Sequence, residues 1–83
     1  MWNYRLIRKN LTSPDEPWLE LHEVFYRREK VWLWTEKPVA VDGASKAEIE
    51  RALKMMLKDL RHPVLLESEL ERLVKLREKR KRK

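Results

Sequence analysis

Apolar and polar residues alternate along three segments in the first part of the chain, which predicts three β-strands. We expect the strands over about residues 2 to 9, 18 to 27 and 30 to 35, where aromatic and β-branched residues are frequent. A polar, proline-containing stretch separates the first two, whereas only Arg28 and Glu29 separate the second from the third. This short connection lacks the Gly or Asn that a two-residue hairpin prefers, so its turn type stays open. The pattern predicts a three-stranded antiparallel meander.

A helical repeat of apolar residues follows the third strand. The segment S-K-A-E at residues 45 to 48 has the spacing of a capping box, in which the serine and the glutamate satisfy backbone N–H groups at a helix start. Apolar residues then recur every three or four positions, which predicts an amphipathic helix over about residues 45 to 61. Pro63 ends this helix and begins a short apolar connector.

A second helix is predicted near the end of the chain. The segment S-E-L-E at residues 68 to 71 repeats the capping-box spacing, and a second amphipathic stripe indicates a helix over about residues 67 to 79. We therefore predict a single α+β domain with the element order β-β-β-α-α. Its scaffold covers residues 1 to 66, and an amphipathic helix that runs into a basic tail covers residues 67 to 83.

Both sides of the third strand are apolar, which raises the question of what covers the sheet. Strict alternation along a strand sends Val31 and Leu33 to one side and Trp32 and Trp34 to the other. Applied to all three strands, it assigns one face to Trp2, Tyr4, Leu6, Val24, Tyr26, Trp32 and Trp34. It assigns the other face to Ile7, Leu19, Leu21, Phe25, Val31 and Leu33.

Two apolar faces need two covers. The helix over residues 45 to 61 covers one of them. Three covers stay open for the other: the helix over residues 67 to 79, a second copy of the chain in a homodimer, or a different protein. A large uncovered patch would itself be an interaction site. We therefore predict a partner interface at Leu19, Leu21, Phe25, Val31 and Leu33.

The net charge of +6 is confined to the last nine residues. Residues 1 to 74 contain 13 Lys and Arg and 13 Asp and Glu, whereas residues 75 to 83 contain seven basic residues and Glu78. Such a density of positive charge can neutralise several phosphates, and the binding should weaken steeply as salt rises. We predict that this segment contacts nucleic acid or a ribonucleoprotein through Lys75, Arg77, Lys79, Arg80, Lys81, Arg82 and Lys83.

Two other roles for the basic segment stay open. It can dock on an acidic protein, or it can serve only to keep the chain soluble. Aromatic side chains on which bases stack would favour RNA. All seven aromatic residues fall between Trp2 and Trp34, so none lies near the basic segment in sequence.

No residue pattern indicates catalysis. The chain has no cysteine, and His22-Glu23 lacks the second histidine of a zinc protease helix, because residue 26 is a tyrosine. The sequence does not place two of the strand carboxylates, Glu20, Glu23, Glu29 and Glu36, at the separation that carboxylate catalysis requires. We expect a protein that is not an enzyme and has no metal, cofactor or small-molecule substrate. The absence of a signal peptide and of an apolar run near ~20 residues predicts a cytoplasmic protein without membrane contact.

Three short segments carry a resemblance to other proteins. They are M-W-N-Y-R at residues 1 to 5, H-E-V-F-Y at 22 to 26 and W-T-E-K-P-V at 34 to 39. Over residues 1 to 66 the chain resembles a family of small, uncharacterised bacterial and phage-associated proteins, a resemblance that implies no known activity. It departs from that family in its glycine-poor hairpin tip and its basic second helix. The order of elements is more distantly similar to HicB-type antitoxins.

The sequence therefore supports two functional hypotheses of different classes. The first is a non-catalytic binding module that contacts nucleic acid or a ribonucleoprotein through its basic C-terminal helix. The alternative is a small, phage-related inhibitor or antitoxin-like protein that binds a protein partner through its aromatic sheet.

Overall fold

The computed structural model describes residues 1–10 and 18–81, with side chains described as far as residue 77. It confirms an α+β chain that begins with an antiparallel meander and contains two helices. The observed boundaries lie within two residues of the predicted ones. The elements are β1 (Trp2–Arg8), β2 (Leu19–Arg27), β3 (Lys30–Trp34), α1 (Lys46–Asp59), β4 (Leu65–Leu66) and α2 (Glu67–Lys81).

The sheet has one strand more than the meander that the sequence predicts. Its spatial order is β3, β2, β1, β4, with β4 parallel to β1 and paired through Ile7 with Leu65 and Arg8 with Leu66. The predicted three-stranded meander is therefore present, but the sheet that contains it has four strands. The two residues of β4 are too few to show alternation, so the sequence indicates only an apolar connector at this segment.

The pairing of the strands also corrects the two predicted faces. Trp2 lies opposite Phe25, and Leu6 lies opposite Leu21, so these residues share one face. Phe25 pairs with Leu33, whereas the next residue of β2, Tyr26, pairs with Val31. Trp32 is therefore the extra residue of a β-bulge, which breaks the alternation along β3.

Helix α2 covers the face of the sheet that is opposite to Trp2 and Phe25, and we call it the first face. Ile7, Val24 and Leu70 form the buried core there. Four half-buried residues pack around this core, namely Tyr26, Val31, Trp34 and Leu65. Val31 and Ile7 thus lie on the opposite face from Leu33, contrary to the prediction. Three covers stay open in the sequence, and one of them is the helix over residues 67 to 79. In the structure this helix covers the first face.

Helix α1 packs on the other face, which carries Trp2 and Phe25 and which we call the second face. It covers only the β1 part of this face. Tyr4 and Met56 are buried where α1 packs against β1. The carboxylate of Asp59 accepts a hydrogen bond of 2.9 Å from the backbone N–H of Tyr4, which satisfies an edge group of β1. Farther across this face, Leu19 and Leu33 are 44% and 47% exposed. A large part of the face is therefore uncovered in the monomer.

The two helices begin differently. Ser45 caps α1, since its hydroxyl accepts a hydrogen bond from the N–H of Glu48, while the Glu48 carboxylate accepts one from the N–H of Ala44. Helix α2 starts directly after β4, so Ser68 lies inside the helix and the second predicted capping box is wrong. None of the described helices is long and apolar enough to cross a membrane.

Candidate nucleic-acid interface

A groove of about 520 Å³ runs between the β2–β3 hairpin and α2. We call it the hairpin groove. The hairpin contributes Arg27, Arg28, Lys30, Val31 and Trp32 to its walls, and α2 contributes Leu73, Leu76 and Arg77. The groove is thus lined by four cationic and four apolar side chains.

Trp32 lines the groove and contacts two guanidinium groups. The Arg27 and Arg77 guanidinium carbons lie 4.9 Å and 4.6 Å from its ring centroid, within the range of cation–π attraction. The β-bulge is the local reason for its position, because the extra residue aims this side chain independently of its neighbours. The fold therefore brings an aromatic ring against the start of the basic segment, 45 positions away in sequence.

The hairpin turn holds its charged residues in a costly conformation. Arg28 and Glu29 have φ values of 53° and 66°, in the left-handed region that glycine and asparagine adopt most easily. A two-residue turn of the type that matches the twist of the strands requires a positive φ at both of its residues. Left-handed backbone costs about 1 kcal/mol per ordinary residue. Arg28 thus keeps a positive charge at the groove, whereas a less strained glycine or asparagine at this position would remove that charge.

The cations of the groove are available to an anionic ligand. Within residues 1–10 and 18–77, none of Arg27, Arg28, Lys30 and Arg77 forms a salt bridge with another described side chain. Lys75 is exposed on the same helix. The backbone of α2 continues as far as Lys81, so Lys79, Arg80 and Lys81 extend the helix beyond the groove. Arg82 and Lys83 lie outside the described residues.

The predicted partner interface is only partly brought together. Leu19, Leu21, Phe25 and Leu33 share the second face, joined by Trp2, whose ring lies 6.4 Å from that of Phe25. We call these five residues the sheet patch. The structure places Val31 elsewhere, in the hairpin groove. The bulge in β3, which strict alternation does not anticipate, accounts for this difference.

His22 and Glu20 belong to a polar network inside the fold. His22 is fully buried, with Nδ1 2.8 Å from the carbonyl oxygen of Thr35 and Nε2 3.0 Å from the carboxylate of Glu20. The hydrogen bond from His22 lowers the pKa of Glu20. These hydrogen bonds hold His22 between Glu20 of β2 and Thr35, the residue after β3. No group of three or more potential metal-binding side chains occurs among the described residues.

The network continues to α2 through Lys9 and Glu67. The Lys9 ammonium donates a hydrogen bond to Glu67, which raises the pKa of Lys9. Burial raises the pKa of Glu67, but the hydrogen bonds from Lys9 and from the N–H of Asn10 outweigh it and leave this pKa below its ordinary value. The pair therefore ties the start of α2 to the end of β1.

The nucleic-acid contacts predicted from the sequence include no residue of the hairpin half of the groove. The run R-R-E-K at residues 27 to 30, followed closely by Trp32, is the available signal, since it combines cations with an aromatic residue.

Comparison with models of protein families, with curated proteins and with solved structures finds no match. The resemblance to small bacterial and phage-associated proteins stays a prediction.

Proposed function

We propose that this protein is a non-catalytic nucleic-acid-binding module that uses the hairpin groove and the basic end of α2. One observation carries the proposal. Three cations of the hairpin, Arg27, Arg28 and Lys30, line a groove together with Arg77, where the basic segment begins. Phosphates of a nucleic acid, free or within a ribonucleoprotein, match this arrangement because each contact releases condensed counterions.

The groove extends the hypothesis drawn from the basic tail alone. A tail of charges attracts phosphates without a defined position, whereas cations on a paired hairpin are held by backbone hydrogen bonds. The groove also supplies the aromatic ring that the tail lacks in sequence. These features favour a built site over a purely solubilising end.

The first experiment neutralises the hairpin cations. The triple variant Arg27→Gln, Arg28→Gln, Lys30→Gln is compared with the wild type for binding of labelled RNA and duplex DNA by fluorescence anisotropy. Loss of about three phosphate contacts should weaken binding on the order of 50-fold at about 0.15 M salt. A matched control, Lys46→Gln, Arg51→Gln, Lys58→Gln, removes the same charge from exposed positions of α1.

The control decides between site and net charge. We expect it to bind within about threefold of the wild type, because long-range effects of exposed charges are screened beyond about 8 Å. Equal losses in the two triple variants would overturn the groove as the site. Absence of any binding by the wild type would overturn nucleic-acid binding altogether.

As a second candidate function, we propose that the sheet patch binds protein, and that a second copy of the chain is the partner. The patch is favoured by its exposure, since Trp2, Leu19 and Leu33 are each more than a third exposed.

Light scattering tests this second candidate. We expect the mass of a dimer for the wild type and that of a monomer for Leu33→Glu, because a carboxylate cannot enter a dry interface without a partner. Leu73→Glu is the matched control, since Leu73 is similarly exposed but lies in the hairpin groove, on the other side of the sheet. A monomeric wild type would overturn the dimer and would favour the inhibitor or antitoxin-like partner instead.

A further inference from the structure

The hairpin groove is lined by two chemically distinct sets of residues. Four are cationic, namely Arg27, Arg28, Lys30 and Arg77, and four are apolar, namely Val31, Trp32, Leu73 and Leu76. Leu73 and Leu76 are 45% and 52% exposed. A ligand that suits both sets combines anionic groups with a flat apolar surface.

An unpaired nucleotide has this combination. Its phosphates suit the cationic residues of the groove, and its base has an apolar face that stacks on aromatic side chains. The groove volume of about 520 Å³ lies within the roughly 300–1,000 Å³ of sites that hold small molecules. In a duplex the faces of the bases are already stacked on one another, so a tryptophan in the groove contributes nothing to duplex binding unless the strands separate.

The contacts of Trp32 show that its ring accepts planar cationic groups from both elements. The Arg77 guanidinium approaches from α2 and the Arg27 guanidinium from the hairpin, at 4.6 Å and 4.9 Å. A base can replace one guanidinium over the ring, and the displaced arginine then faces the adjacent phosphate. Trp32 thus provides the ring on which a base stacks, and the displaced arginine provides the contact to its phosphate.

We propose that the hairpin groove selects single-stranded nucleic acid by stacking a base on Trp32. This inference rests on the proposed function and names its ligand class. An acidic amphipathic peptide is the competing occupant, since carboxylates also pair with cations. The single strand is favoured because both arginines nearest the ring stack on it, and guanidinium planes and bases occupy the same positions against an aromatic face.

The test compares Trp32→Leu with the wild type against four probes: short oligouridylate, short oligothymidylate, duplex DNA and an acidic peptide of matched charge. Loss of one stacked base should weaken binding of either single strand by about 5- to 150-fold. Duplex affinity should change less than about twofold. Trp32→Tyr should restore most of the single-strand affinity, because tyrosine also stacks, and it guards against a folding defect in the leucine variant.

Trp18→Leu is the matched control. Trp18 is exposed and does not line the groove, so this variant should bind all four probes as the wild type does. Oligonucleotide should also quench a fluorescence component that is missing from Trp32→Leu. The uridylate and thymidylate arms show whether the strand is RNA or DNA.

Several outcomes would overturn the inference. Equal single-strand affinities of Trp32→Leu and the wild type would do so while leaving nucleic-acid binding intact. Equal losses for single strand and duplex would assign Trp32 a purely structural role. Tighter binding of the acidic peptide than of either oligonucleotide would assign the groove to a protein ligand. Failure of the wild type to bind any nucleic acid would overturn the proposed function itself.

Discussion

Lys9 and Glu67 form a hydrogen-bonded ion pair that joins the end of β1 to the start of α2. Their side chains are only 15% and 14% exposed, and Glu67 also accepts a hydrogen bond of 3.1 Å from the N–H of Asn10. Leaving one partner of such a pair unsatisfied is costlier than the pair is stabilising. The sequence shows both residues but not their contact, because they lie 58 positions apart and neither belongs to a recognisable motif.

Glu67→Gln should therefore lower the free energy of unfolding by about 1 to 2 kcal/mol at neutral pH. Because the pKa of Glu67 is lowered in the folded state, its contribution is present above the unfolded pKa and is lost as pH falls through the folded pKa. The difference between wild type and variant should thus shrink below about pH 4. Urea unfolding across pH measures it.

Glu50→Gln is the control for this residue. Glu50 pairs with Lys54 one turn away on α1, but both side chains are mostly exposed, so the change should cost no more than about 0.5 kcal/mol. A Glu67→Gln variant that unfolds like Glu50→Gln at every pH would contradict the importance of the buried pair.

The β2–β3 hairpin is the element that the sequence predicts best in position and worst in detail. Alternation and the two-residue gap place its strands correctly, because these signals are local. The bulge at Trp32 depends on the packing of Val31 and Trp34 around a core that includes Leu70, and no local pattern reports that. The same bulge moves Trp32 into the groove and Val31 out of the predicted interface, so the sequence signals the cations of the hairpin but not the positions of these two side chains.

Glu29→Gly should stabilise the hairpin. Glycine adopts the positive φ of this turn without the steric cost that glutamate carries, and this gain exceeds the entropy that glycine loses on folding. We expect the free energy of unfolding to rise by about 0.5 to 1 kcal/mol in urea denaturation. Every groove cation remains, so nucleic-acid affinity should not fall.

Glu36→Gly provides the comparison for the turn. It removes the same charge from an exposed position just after β3, where the backbone has no positive φ. Glycine there adds freedom only to the unfolded chain, so stability should fall by about 0.5 to 1 kcal/mol. Stabilisation by both substitutions would point to charge, and not to backbone strain, as the cause.

The whole molecule has a helix on each face of one sheet, and the helices leave different surfaces behind. Helix α2 packs Leu70 into the core and carries its basic end past the hairpin, which creates the hairpin groove. Helix α1 packs along β1 and leaves Trp2, Leu19 and Leu33 of the sheet patch exposed. The sequence predicted two apolar faces and two helices from periodicity. It could not pair them, because pairing depends on contacts between residues distant in the chain.

In the proposed function, phosphates contact the cations of the hairpin groove. The salt dependence of oligouridylate binding tests this contact most directly, because the slope of log affinity against log salt counts the phosphates that a protein neutralises. For the variant without positive charge at Arg27, Arg28 and Lys30, we expect a slope shallower by about 2 than that of the wild type. The variant with three neutralised cations on α1 should keep the wild-type slope. Identical slopes for the wild type and the groove variant would show that phosphates do not contact these cations.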